Sequence, residues 1–197
     1  MIRKKQALLT KKKIFNNAIF LFKEKGYDNI TVKEICDQSN IAKGTFYVHY
    51  KSKEDIIKES YYSDMEEFVI YKYEEFIKDM KNLSNKDKIK KFLISELMFS
   101  EFSGFEMTCR AFVYNLSNCL NEKSLHFEKR NFTKILKDLI NKGIENKEFK
   151  INENKDFIFN YLESFIRGFM GTWCFSNGNF DIVKEGEKHI NLLIKNL

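Results

Sequence analysis

The sequence predicts an all-α protein of about nine helices, with an N-terminal helix-turn-helix unit joined to a larger helical domain. Pro is absent from the 197 residues and only 8 are Gly, so the residues that interrupt helices are rare. Hydrophobic residues make up 43% of the chain and charged residues 31%, which is typical of a folded globular protein. Apolar residues recur at helical spacing, and no segment has the alternating pattern of a strand.

The first helix is predicted from an apolar stripe that ends before residue 26. The stripe is formed by Ile14, Ala18, Leu21 and Phe22. Thr10 is the predicted N-cap of this helix. Gly26 is its predicted C-terminal stop, because Gly readily adopts the left-handed backbone conformation found there.

Two short helices follow the first one. Thr31 and Glu34 have the spacing of a capping box, which predicts that the second helix starts at Thr31. The residues Gln-Ser-Asn at 38–40 predict a turn, and the third helix covers about residues 42–49. Three short helices with a tight turn between the second and the third are typical of a helix-turn-helix unit.

The rest of the chain is predicted to form one long connecting helix and five further helices. Ser52 and Asp55 have capping spacing and start a helix that runs from about Lys53 to Met80. The five helices after it are predicted at about residues 86–102, 105–119, 123–146, 154–176 and 181–195. We therefore expect two units, a helix-turn-helix over residues 1–53 and a larger helical domain over residues 54–197, which the family resemblance given below implies to be a DNA-binding domain and a ligand-binding and dimerisation domain.

Positive charge is concentrated in the first 53 residues. They contain 12 Lys and Arg against 4 Asp and Glu, whereas residues 54–197 contain 22 against 24. A basic end on a nearly neutral body is typical of a protein that binds nucleic acid or an anionic membrane. Charge alone does not choose between these two partners.

The predicted third helix has two different faces. Ile41, Phe46 and Tyr50 fall on one face and are expected to pack on the first two helices. The other face and the tip carry Lys43, Thr45, Tyr47, Val48 and His49. Gly44 has no side chain, so the tip can approach DNA closely. A basic, hydrogen-bonding helix of this kind fits the major groove, with its N-terminal residues toward the base edges.

Two segments resemble one known protein family. The first, GYDNITVKEICDQSNIAKGTFYVHYKSKEDII, resembles the DNA-binding signature of TetR (AcrR-type) transcriptional repressors. The second, YLESFIRGFMGTWCFSNGNFDIVKEGEKHINLLIK, resembles the last two helices of that family, which pair into the four-helix bundle of a dimer. The resemblance implies a homodimer that binds a palindromic DNA operator and is released when a small-molecule effector binds.

The resemblance also implies roles for individual residues. Contacts to phosphates are implied for Thr31, Thr45, Tyr47 and Lys53, and contacts to bases for Lys43, Gly44, Val48 and His49. Thr31 and Lys53 each lie at a predicted helix N-terminus, where backbone N–H groups already attract phosphate. One position departs from the family, because Ala42 stands where a Ser or Thr usually caps the third helix.

The larger domain is rich in aromatic residues and Met, which predicts a large apolar pocket for a ligand. Its expected lining includes Met98, Phe102, Phe105, Met107, Phe112, Phe127, Phe165, Phe169 and Trp173. Arg110 and Arg167 stand out in helices that otherwise look buried. Each could hold the carboxylate or phosphate group of a ligand, or could form an ion pair with the Glu one turn before it.

Other function classes have less support. The three His are scattered, and the sequence contains no nucleophile elbow, phosphate loop or metal-binding His pair, so we expect no enzyme, metal site or cofactor. No apolar run reaches the ~18 residues that a membrane span needs, and no export signal is recognisable, so the expected location is the cytoplasm. The alternative is a helical ligand-binding or membrane-surface protein whose basic end binds anionic lipid.

The four Cys lack the close spacing of a zinc or redox site. Cys109 and Cys119 would lie roughly 15 Å apart on one helix, which is too far for a disulfide. We therefore expect the Cys to be small apolar side chains in a reducing compartment.

Overall fold

A computed structural model describes residues 2–78, 82–121 and 131–197, and within these ranges the chain forms nine α-helices and no strand. The all-α prediction is confirmed. The helices are α1 Ile2–Lys25, α2 Val32–Ser39, α3 Lys43–His49, α4 Lys53–Lys78, α5 Asn85–Ser103, α6 Phe105–Asn121, α7 Asn131–Glu145, α8 Lys155–Phe175 and α9 Ile182–Asn196. In these ranges no helix is long and apolar enough to cross a membrane. The first part of the predicted helix 123–146, with Phe127, lies outside the described residues.

The helix α1 begins earlier than the sequence predicted. It starts at Ile2, and the predicted cap Thr10 lies inside it, where its hydroxyl donates to the Gln6 carbonyl at 3.0 Å. The first thirteen residues contain neither Gly nor Pro, so no residue there interrupts the helix. The C-terminal prediction is confirmed, since Gly26 has a φ of +81° and its N–H donates to the Phe22 carbonyl at 2.9 Å.

The N-terminal unit, formed by α1, α2 and α3, has a closed apolar core. Phe46 and Tyr50 are 0% and 1% exposed, which confirms their predicted inward orientation. The same buried cluster includes Phe15, Ala18, Phe22 and Ile35 from α1 and α2. Polar bonds also join the helices, because the Asn17 side chain donates to the Gln38 carbonyl at 3.3 Å and to the Ser39 hydroxyl at 3.1 Å.

Local hydrogen bonds set the start and the end of α2. The predicted capping box is present: the Thr31 hydroxyl accepts the Glu34 N–H at 3.2 Å, and the Glu34 carboxylate accepts the Thr31 N–H at 2.9 Å. At the other end Asn40 has a φ of 50°, in the left-handed region, and its N–H donates to the Asp37 carbonyl at 3.1 Å. Asn is one of the few non-Gly residues that tolerate this conformation. Asn40 therefore provides the turn that sets the direction of α3 relative to α2.

The helix α5 lies at the centre of the body, the part of the chain formed by α4 to α9. It packs against α4, α6, α7, α8 and α9. Its middle is buried on every side, through the consecutive residues Phe92, Leu93, Ile94, Ser95, Glu96 and Leu97. A helix that is enclosed in this way has no face exposed to solvent along its middle, so the other helices of the body pack around it.

An acidic group lies at the junction between α1 and α4. Asp64 of α4 is half-buried beside Glu67, and Glu67 forms an ion pair with Lys12 of α1. Burial and the neighbouring Glu67 carboxylate raise the pKa of Asp64 to about 7, against the opposing charges of Lys12 and Lys11. The fold therefore favours the protonated carboxyl at this position.

We predict that Asp64→Asn stabilises the protein at pH 8. The folded state holds the Asp64 proton more tightly than the unfolded state, so wild-type stability falls as pH rises from about 4 to about 7. The variant should lose this slope and gain on the order of 1 kcal/mol of unfolding free energy at pH 8, after allowance for solvent screening. Urea unfolding at pH 5 and pH 8 measures both quantities. Glu74→Gln, an exposed position on α4, is the matched control and should retain the wild-type slope.

Candidate DNA-binding face and ligand cavity

The outer face of α3 is open to solvent. Lys43 and Gly44 are exposed at its first turn, and Tyr47 and Val48 are 49% and 80% exposed. The Tyr47 ring packs edge-to-face on the buried Phe46 ring, at 5.5 Å between centroids, and its other side faces solvent. These four residues are among the eight that the sequence assigned to DNA.

Gly44 is not required by packing inside the chain. A Cβ atom added there would meet nothing within 4 Å. Its φ does not lie in the left-handed range, so the backbone does not require Gly either. Neither packing against the described residues nor backbone conformation therefore requires Gly at this position.

Thr45 and His49 are half-buried at the edges of this face. Burial and the nearby charge of Lys11 lower the pKa of His49, so its imidazole is neutral at neutral pH. A neutral imidazole has one donor and one acceptor nitrogen. His49 is therefore suited to reading a base edge by hydrogen bonding rather than to binding phosphate by charge.

The phosphate positions predicted from the sequence differ in their surroundings. Thr31 is exposed at the N-terminus of α2, and its hydroxyl is already engaged with Glu34. Ala42 makes no side-chain cap on α3, as the sequence predicted. The first turn of α3 is therefore not capped by a side chain, and the Thr45 N–H donates to the Ala42 carbonyl at 2.9 Å instead.

Lys53 has an internal role that the sequence did not reveal. Its ammonium donates to the Tyr27 carbonyl at 2.7 Å and to the Ile30 carbonyl at 3.0 Å. It also lies 4.2 Å from the centroid of the Tyr27 ring. Two of its three donors are thus used on the turn between α1 and α2, and Lys53 holds that turn against the start of α4.

A cavity of about 240 Å³ lies inside the body. Its lining comes from five helices: Tyr61, Tyr62 and Met65 of α4, Glu96 of α5, Phe112, Asn115, Leu116 and Cys119 of α6, Phe132 of α7, and Glu163, Ile166, Arg167 and Met170 of α8. Most of these side chains are aromatic or aliphatic. An apolar space with a few polar groups is the usual form of a small-molecule site.

Charged groups lie on one side of the cavity. Arg167 forms an ion pair with Glu163, one turn before it, as one of the two sequence interpretations required. Glu163 is only 3% exposed, and Glu96 on the neighbouring helix α5 is 2% exposed. Tyr62 donates to the Ala111 carbonyl at 3.1 Å, which joins α4 to α6 across the lining.

The eleven residues that the sequence suggested for the ligand lie in different places. Phe112 and Arg167 line the cavity, and Phe127 lies outside the described residues. The other eight do not line this cavity: Met98, Phe102, Phe105, Met107, Arg110, Phe165, Phe169 and Trp173. Of these, Phe102, Phe105, Met107 and Arg110 line other cavities. Trp173 is instead buried and donates its indole N–H to the Phe180 carbonyl at 2.9 Å. Residue type identified the apolar helix faces, but it did not show which of these faces line this cavity.

The ligand site predicted from the sequence also lacked the residues that α4 contributes to the cavity. Tyr61 and Met65 lie four residues apart on that helix and are both buried. Their spacing is an inward stripe that periodicity could have detected. The sequence analysis predicts α4 only as a connecting helix, so its buried residues are not part of the predicted ligand site.

Arg110 joins α6 to the N-terminal unit. Its guanidinium lies 3.9 Å from the centroid of the Tyr27 ring and forms ion pairs with Asp28 at 2.9 Å and with Glu106 at 3.0 Å. Glu106 in turn accepts the Tyr27 N–H at 2.9 Å. We call this group, Tyr27, Asp28, Glu106 and Arg110, the α6 clamp. It places the first turns of α6 against the turn that precedes the helix-turn-helix.

Comparison with known proteins relates this arrangement to one family. Residues 14–59 match the model of bacterial regulatory proteins of the tetR family. The chain is 25% identical over 190 residues to the fatty acid metabolism regulator protein of Bacillus subtilis, with 93% of each chain covered. The N-terminal unit is therefore similar to that of the TetR family, and the resemblance seen in the sequence is confirmed.

Two further comparisons show which parts of the chain are similar to known regulators. It is 50% identical over 50 residues to IcaR of Staphylococcus epidermidis, a negative transcriptional regulator of a biofilm operon, and this match spans only 27% of that relative. Its fold is similar to that of FadR from Bacillus subtilis, solved in complex with stearoyl-CoA, with a TM-score of 0.62, 22% identity, and coverage of 94% and 98%. These relatives are transcriptional regulators.

We predict that Lys53 and Tyr47 affect DNA binding for different reasons. Lys53→Ala removes two charge-assisted hydrogen bonds from the α1–α2 turn and should lower the unfolding free energy by roughly 2 kcal/mol. Tyr47→Phe removes one exposed hydroxyl and should leave stability unchanged, while weakening binding to all duplexes by roughly 3- to 10-fold. Thermal unfolding and duplex titrations on both variants measure this. Equal stability losses would contradict the assignment.

We predict that Lys43→Ala and His49→Ala relax base preference. Both side chains lie where α3 would meet base edges, so their loss should reduce the difference in affinity between matched and mismatched duplexes. Each should reduce the penalty of one mismatch by about 1–3 kcal/mol. Competition titrations at fixed salt measure the difference, with Tyr47→Phe as the control that keeps it.

Proposed function

We propose that this protein binds a palindromic DNA operator as a homodimer and represses transcription until a largely apolar small molecule enters its cavity. The exposed outer face of α3 carries this proposal, because Lys43, Gly44 and Val48 face solvent there and the packing of the described residues does not require Gly44. Lys43, Gly44, Val48 and His49 would meet the bases, and Thr31, Thr45 and Tyr47 the phosphates. Lys53 would act mainly by holding the unit in shape.

The proposed dimer forms through α8 and α9. Tyr161 and Phe175 on α8 are 43% and 93% exposed, and Leu192 on α9 is 62% exposed. Gly168 lies between the two rings along α8, and a Cβ added there would meet nothing within 4 Å. An exposed apolar stripe with a small residue at its centre permits close packing of a second helix pair. A two-fold dimer explains why the operator would be palindromic.

The proposed ligand carries a long apolar chain, such as the acyl chain of an acyl-CoA. The cavity is lined mainly by apolar side chains, and the similar FadR fold was solved with stearoyl-CoA. At about 240 Å³ the cavity is smaller than the ~300–1,000 Å³ of typical ligand sites. A long chain therefore has to push the surrounding helices apart, and that displacement is what a regulator needs.

The proposed signal passes through α6. Phe112 and Leu116 of this helix line the cavity, while Glu106 and Arg110 at its start hold the turn before the helix-turn-helix. A ligand that moves α6 outward would shift the α6 clamp with it. The two N-terminal units of a dimer would then change their spacing, and the population that fits the operator would fall.

The function is tested by selecting bound duplexes from a random pool with the purified protein at two salt concentrations. We expect a palindrome whose affinity falls steeply with salt, because several phosphate contacts release counterions. A sequence-independent product, together with binding to vesicles that contain anionic lipid, would instead support the membrane-surface alternative.

We predict that Leu116→Trp blocks the ligand response without changing DNA binding. Leu116 lines the cavity but is 67% exposed, so a larger ring can narrow the opening without filling the core. With palmitoyl-CoA as the probe, the concentration that releases half of the operator should rise at least tenfold.

Ile144→Trp is the matched control for this experiment. Ile144 is 37% exposed on α7 and does not line the cavity. It should respond to palmitoyl-CoA like the wild type. If both variants change the release concentration equally, the cavity is not the binding site.

A further inference from the structure

Two cysteines from different helices lie side by side where α6 meets α8. The Cys174 sulfur is 3.9 Å from the carbonyl oxygen of Phe105. In an α-helix that carbonyl accepts the N–H of the residue four positions later, which is Cys109. Cys174 therefore lies against the turn of α6 that carries Cys109, and the Cys109 thiol is a neighbour of the Cys174 thiol.

The surroundings of this pair differ from those of the other two cysteines. Cys109 and Cys174 are both half-buried, whereas Cys36 is buried and Cys119 is exposed. Burial, followed by the adjacent Cys109 thiol, raises the pKa of Cys174, which keeps this thiol protonated at neutral pH. Cys109 also lines a separate cavity between α4 and α6, through which a small oxidant can reach it, so we assign Cys109 as the first nucleophile and Cys174 as the resolving partner.

We propose that Cys109 and Cys174 form a reversible disulfide when the protein meets a peroxide. The Cys109 thiolate attacks hydrogen peroxide, which gives a sulfenic acid and hydroxide. The Cys174 thiol then attacks the sulfenic sulfur, an S–S bond forms, and the sulfenic oxygen leaves as water with the thiol proton. Two electrons pass from the two thiols to the peroxide, and a dithiol reductant restores both thiols.

The position of the bond gives it a regulatory consequence beyond the proposed ligand response. Cys109 directly precedes Arg110, and Cys174 lies near the end of α8. The disulfide would tie the α6 clamp to α8, on the side of α6 that the ligand has to move. An oxidised protein would therefore keep its operator affinity and lose its release by ligand.

The bond is tested by peptide mapping of the full-length protein after treatment with hydrogen peroxide, without reduction. We expect a 109–174 linked peptide, loss of two of the four thiols, and recovery of both with dithiothreitol. The linking rate should rise with pH, because a raised thiol pKa limits the second step. Oxidation confined to Cys119, or links only between chains, would overturn the proposal.

Variants separate the two steps and the regulatory consequence. Cys174→Ser should stop the reaction at the Cys109 sulfenic acid, which dimedone labels, while Cys36→Ser and Cys119→Ser should link like the wild type. The mapping needs no DNA, so it stands or fails independently of the proposed function. The regulatory consequence is tested with oxidised protein bound to its selected operator. The concentration of palmitoyl-CoA that releases half of the operator should rise at least tenfold on oxidation. An equal release concentration before and after oxidation would show that the disulfide does not block the ligand response.

Discussion

The α6 clamp is the interaction on which the working arrangement of this protein depends. It joins the turn before the helix-turn-helix to the first turns of α6 by an ion pair, a backbone hydrogen bond and the contact of Arg110 with the Tyr27 ring. Lys53, at the start of α4, holds the same turn through two hydrogen bonds to its carbonyl groups. A small unit that binds DNA is thus tied to two helices whose other residues line a cavity.

The central position of α5 explains why a ligand would displace the outer helices rather than α5. Because its middle is buried on every side, a shift of α5 would disturb its packing against α4, α6, α7, α8 and α9 together. Close-packed interiors resist such shifts. The helix α6 has an outer face in solvent, with Val113 and Leu116 well exposed, so it can move at lower cost.

The features that the sequence predicted correctly depend on neighbouring residues. The capping box of Thr31 and Glu34, the stop at Gly26 and the inward face of Phe46 and Tyr50 each rest on contacts within a few positions or on helical spacing. The start of α1 was wrong because a Thr is an N-cap only where the chain before it is not helical. The ligand contacts were mostly misplaced relative to the cavity, because an apolar side chain gives no sign of whether it meets another side chain or a space.

By itself the sequence determined the all-α class, the helix-turn-helix and the face of α3 that points outward. These follow from local hydrogen bonding and from periodicity, which the order of residues contains directly. Only the tertiary structure decided that Arg110 holds Tyr27 and Asp28, that Lys53 turns inward, and that Cys109 lies beside Cys174. Each of these contacts joins residues at least 23 positions apart, and such pairs meet because helices pack around α5, which no local pattern specifies.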